Sequence, residues 1–136
     1  MKKIVLTCSL ILLAVSLFAQ KLPALGDPWT ANTSKSFFIP SGLHPLSILK
    51  VDGIDFKVVA ESKKVKFIST DDKNFKIGQN KYIGFKLSDF KNKQEAKLYP
   101  GWGYYLPVGN GWYAYFDFKN LNDSSKVLSV FKYQFN

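Results

Sequence analysis

Arginine is absent from this chain, and cysteine and histidine each occur once. Each scarcity removes a chemistry. The one cysteine, Cys8, falls in the apolar segment at the start, so a chain lacking that segment has no disulfide, no thiolate metal site and no cysteine nucleophile. The one histidine, His44, stands between Leu43 and Pro45 in a proline-rich stretch and reads as an exposed loop residue. A catalytic triad needs a base held by neighbours, and a zinc or copper site needs two or more His or Cys ligands. No cofactor is therefore expected. All nineteen basic residues are lysine. Without the planar guanidinium fork there is little means of reading guanine edges or gripping phosphates bidentately, which argues against sequence-specific nucleic-acid recognition.

Long apolar runs are also scarce, with one exception. Lys2 and Lys3 precede an apolar run, Ile4 to Phe18, broken only by Thr7, Cys8, Ser9 and Ser16. Ala19-Gln20 supplies a small residue before Lys21. This is the layout of an export signal, too short and wrongly flanked for a spanning helix. A lipidated cysteine would follow the apolar run, whereas Cys8 sits inside it. The expected organisation is a signal peptide over 1–20, an irregular Pro/Gly-rich lead-in over 21–45, and a β-rich domain over 46–136. With the leader removed, seventeen lysines remain against ten acids, a net charge of about +7. These lysines are scattered, which fits solubility or weak attraction to an anionic envelope polymer.

What remains is rich in aromatic residues and strand patterns. The lead-in carries Pro23, Gly26, Pro28, Pro40, Gly42 and Pro45, which break regular elements. Beyond it, residues 47–70 read as a three-stranded meander. Asp52-Gly53 is a hairpin signal. Ile54, Phe56, Val58 and Ala60 alternate with a mostly polar side, and Val65, Phe67 and Ser69 are expected to share one face. Phe75 and Ile77 look like apolar pins in a polar loop. Ser88 could cap a short helical turn. Further strands are expected over 96–99, 102–108, 112–118 and 127–135, the last with Val127, Phe131, Tyr133 and Phe135 on one side. Together these give an α+β, mostly antiparallel β domain of about seven short strands with at most one short helix.

Carboxylates are the remaining catalytic option, since a glycosidase-like pair needs two acids across a cleft. Asp55, Glu61, Asp89, Glu95 and Asp117 are the candidates, and Asp117 stands out for its aromatic neighbours. Asp71-Asp72 with Asn74 suggests calcium only superficially, because the spacing and closing glutamate of a calcium loop are missing.

The strongest local feature is the run Tyr99-Pro100-Gly101-Trp102-Gly103-Tyr104-Tyr105-Leu106-Pro107, followed after a tight Gly109-Asn110-Gly111 turn by Trp112-Tyr113-Ala114-Tyr115-Phe116. Such a hairpin packs one face on a core. The other, if it carries Tyr105, Tyr113 and Tyr115, offers an amphipathic patch suited to sugars, peptides or protein interfaces. The candidate binding residues are Trp102, Tyr105, Trp112, Tyr113 and Tyr115. The sequence thus points to a small exported, non-enzymatic domain that binds an envelope protein or a glycan. The alternatives are a carboxylate-dependent hydrolase using Asp117 and Glu95, or lysine-mediated adsorption.

The Phe-Ala-Gln end of the leader, the segment Ile68-Ser69-Thr70-Asp71-Asp72-Lys73-Asn74-Phe75, the Ile83-Gly84 step, and the Pro-Gly-Trp-Gly-Tyr-Tyr and Gly-Trp-Tyr-Ala-Tyr-Phe strings resemble short exported proteins of the Bacteroidota. The similarity spans roughly residues 46–135. It implies export to the periplasm, the cell surface or the medium, and a helix after Ile83-Gly84. It implies no activity.

Overall fold

A computed structural model describes residues 21–135; the expected leader, with Cys8, lies outside them. Eight strands form one antiparallel sheet: β1 (Ser36–Ile39), β2 (Gly42–Val51), β3 (Ile54–Glu61), β4 (Lys64–Thr70), β5 (Lys97–Tyr99), β6 (Gly103–Gly109), β7 (Trp112–Phe116) and β8 (Ser129–Tyr133). Their order across the sheet is β1-β2-β3-β4-β8-β7-β6-β5. The described helical content is two single 3-10 turns, Leu87–Asp89 and Lys93–Glu95. The expected α+β class is therefore corrected to a mainly antiparallel all-β sheet, with eight strands where seven were expected. The expected cap moves as well. The Lys86 N–H donates to Asp89 Oδ2 at 2.9 Å, so Asp89 rather than Ser88 closes the first turn.

The additional strand, β1, lies in the stretch expected to be irregular, and β2 also begins there. The prolines are accommodated at its margins. Pro40 occupies the β1–β2 turn, and Pro45 faces Ser36 where β1 begins. There a missing N–H costs little. The rest of the lead-in is tied down by backbone bonds to β4: the Val65 N–H donates to the Asp27 carbonyl at 2.9 Å and the Gly26 N–H to the Val65 carbonyl at 2.8 Å.

Both faces of the sheet are apolar. On the first, Phe56 and Val58 of β3, Ile68 of β4, Val130 of β8, Ala114 and Phe116 of β7, and Leu106 of β6 form a buried core. The long connection between β4 and β5 covers it with Ile77, Leu87 and Phe90. Phe75 packs edge-on to both Phe56 and Trp112, at centroid distances of 5.2 and 5.0 Å. The alternation of Ile54, Phe56 and Val58 places these residues on this face as expected, and Trp112, Ala114 and Phe116 share it.

The opposite face carries Ile39, Leu46, Val59, Phe67, Trp102, Phe131 and Tyr133 as buried residues. Two expectations about side change here. Val65 packs in the first core and Phe67 in the second. The pairing slips between Val59 and Ala60, leaving Lys66 with no opposite residue, and this β-bulge reverses the facing of the rest of β4. Likewise, Val127 precedes β8 and packs in the first core, while Phe131, Tyr133 and Phe135 belong to the second.

Candidate functional site

The second face is the candidate site because most of its side chains are aromatic rings and its margins stay open. Phe67 of β4 stacks on Phe131 of β8 at 5.4 Å. Trp102 stands edge-on to both, at 6.1 and 4.9 Å. Tyr115 leans on Trp102 at 4.8 Å and its hydroxyl donates to the Trp102 carbonyl at 3.0 Å. Gly103 makes this possible: a Cβ there would collide with the Tyr115 ring and lie 2.9 Å from the Phe116 carbonyl oxygen. Burial, and secondarily the charge of Asp117, raise the Tyr115 pKa above the ordinary 10.0.

Two hollows open on this face. One, of about 290 Å³, is lined by Glu95, Lys97, Tyr105, Pro107, Tyr113 and Phe135. There Tyr105 and Phe135 stack nearly parallel at 4.2 Å, and Tyr113 stands edge-on to both, at 5.5 and 5.3 Å. The other, of about 310 Å³, is lined by Phe37, Phe38, Phe67, Ser69, Gly101, Trp102, Tyr115, Phe118 and Ser129. Its walls come from β1, at one end of the strand order, and from the β5–β6 turn near the other end, so the sheet curls toward itself.

The five candidate residues divide between the faces. Tyr105, Tyr113 and Tyr115 are half-buried on the aromatic face, and Trp102 is nearly enclosed beside them. Trp112 is in the first core, with the Lys132 ammonium 5.1 Å from its ring centroid. It takes no part in the patch, because its neighbour Tyr113 already points the other way. Sequence reasoning did not find Phe38, Phe118, Ser69 and Ser129. The apolar run Phe37-Phe38-Ile39 was a local signal for Phe38 alone.

The polar candidates are dispersed. His44 is not a loop residue: it lies in β2, 19% exposed, with Nε2 3.1 Å from Ser41 Oγ and 3.6 Å from Glu61 Oε1. Serine, histidine and glutamate meet here, but both contacts fall on the same ring nitrogen. A triad needs the acid on the other nitrogen, so this is no proton relay. Glu61 also faces Lys66 at 3.9 Å, and Asp55 faces Lys50 at 3.8 Å. Asp117 and Glu95 are both exposed, and only Glu95 lines one of the two hollows. Asp72 Oδ1 accepts the Asn74 N–H at 2.8 Å, a local turn. No three His, Cys, Asp or Glu side chains gather as a metal site among the described residues. Compared with known proteins, the chain matches no family model, no curated protein and no solved structure.

Proposed function

We propose that the chain is a small exported, non-enzymatic domain that binds a macromolecule of the cell envelope, a glycan or a protein, through its aromatic face. The observation that carries this reading is the Tyr105–Tyr113–Phe135 hollow, with Glu95 and Lys97 at its margin. Stacked rings offer a flat apolar surface to the C–H face of a sugar or to a peptide side chain. The two phenol hydroxyls, the carboxylate and the ammonium are available to fix polar groups. Export rests on the leader-like residues 1–20, and the likeness of residues 46–135 to short exported Bacteroidota proteins supports the same reading.

Co-sedimentation with purified cell-wall polysaccharide tests the glycan form of this reading. Crosslinking in the intact envelope tests the protein form. Binding should survive high salt and fall in Tyr105→Ala and Tyr113→Ala, both of which should stay folded. Trp112→Ala should instead lower stability, since that ring lies in the opposite core. Binding that disappears with added salt and ignores both tyrosine variants would favour adsorption through the lysines. The absence of any retained envelope component would remove the reading altogether.

A further inference from the structure

The second hollow differs in chemistry from the first. Six of its nine lining residues are aromatic, the others are glycine and serine, and none is charged. We propose that it is a separate binding site for a small, uncharged ligand: a flat, apolar fused-ring system bearing a hydroxyl or carbonyl at one edge. Phe38 and Phe118 stand at its margin, 49% and 57% exposed. Phenylalanines this open cost solvation unless something covers them. Phe37, Phe67, Trp102 and Tyr115 complete the walls. About 310 Å³ is at the lower end of the range for small-molecule sites.

The polar requirement comes from Ser69. This residue is only 4% exposed, and it lines the hollow. The hydroxyl of the neighbouring Thr70 donates to the Asp55 carbonyl at 3.0 Å. The Ser69 hydroxyl, by contrast, has no hydrogen-bond partner among the described residues. Every fully enclosed side-chain nitrogen or oxygen there is paired. The Ser69 oxygen therefore keeps some exposure, and the hollow is the space this residue lines, so a ligand that displaces water there must pair it or leave it unsatisfied. Ser129 of the adjacent β8 supplies a second hydroxyl on the same lining. A charged ligand would lose hydration with no counter-charge on the walls. The nearby Lys57 ammonium, 5.3 Å from the Phe37 ring centroid, is not a lining residue.

Amide and indole NMR of the full chain, titrated with naphthol, naphthalene, naphthoate and methyl glucoside, tests this directly. Naphthol should give saturable shifts at the Trp102 indole and at Ser69 and Ser129. Phe38→Ser and Phe118→Ser should each weaken it about tenfold at unchanged melting temperature. Ser69→Ala should reduce naphthol to the affinity of naphthalene, and naphthoate should bind more weakly than either. Tyr105→Ala should leave naphthol binding intact, which separates this site from the macromolecular one. A naphthol titration without saturation at Trp102 would overturn the proposal, as would indifference to both phenylalanine variants. Methyl glucoside shifting these resonances in place of naphthol would overturn it too, and would assign the hollow to a sugar.

Discussion

At the scale of single residues, two polar side chains hold more structure than their size suggests. Ser47 is fully buried, and its Oγ accepts both the Trp29 indole N–H at 3.0 Å and the Asn32 N–H at 2.9 Å. It thereby fastens the lead-in to β2. Ser47→Ala strands two donors at once, so unfolding free energy should fall by about 1–3 kcal/mol. Urea titration followed by tryptophan fluorescence reads this. Tyr115 acts at the other end of the pH scale. Its raised pKa means that the unfolded chain releases the phenol proton first as pH climbs through 10.0. The contribution is thus complete below that pH and is lost as pH rises toward the higher folded value. Melting temperature should decline above about pH 10, and Tyr115→Phe should blunt the decline while lowering stability at neutral pH through loss of the Trp102 hydrogen bond.

At the scale of elements, the turns differ in how well their residues suit them. Asp52 and Gly53 take φ of 50° and 79°, the positive pair that a two-residue hairpin turn requires. Ser62 and Lys63 take φ of 52° and 59° in the next hairpin without a glycine between them. Left-handed backbone at such residues is unfavourable. Replacing Ser62-Lys63 by Asn-Gly should raise stability by roughly 1 kcal/mol, partly offset by the greater freedom of glycine when unfolded. A shift of the urea midpoint at constant slope would register it. The hairpins and their alternation were legible in the sequence because period-2 patterning and Asp-Gly or Asn-Gly turns are local signals. The facing of Val65 was not, since the bulge at Lys66 is a register event between two strands. Nor was β1, because Pro40 and Pro45 look like breakers until their places are known, one in the β1–β2 turn and the other just outside the β2–β3 pairing. Tyr105, Tyr113 and Tyr115 could be placed on one side by counting residues. Ser69 and Ser129 are brought together by the pairing of β4 with β8, Phe38 joins them only because the sheet curls, and no local pattern encodes either.

At the scale of the whole molecule, the charge and the fold pull against each other. The chain carries a formal net charge of +9, and the described ion pairs are few and weak in geometry. Lys93 and Asp123 approach to 3.2 Å, but both are half or more exposed, so such a pair adds little. Several lysines also approach aromatic rings: Lys57 at Phe37, Lys66 (which also faces Glu61) at Tyr133 and Lys132 at Trp112, at 5.3, 5.6 and 5.1 Å from the ring centroids. A ring accepts a cation without adding opposite charge, so the like-charge repulsion across the sheet stays uncancelled. Screening should therefore stabilise this protein. Raising ionic strength from a few millimolar to about 0.15 M shortens the Debye length to about 8 Å, and the melting temperature should rise with it. In a fold dominated by exposed salt bridges it would fall. A fall on adding sodium chloride, measured by calorimetry at neutral pH, would mean that attractive pairs outweigh the lysine excess and that the aromatic contacts are not what accommodates it.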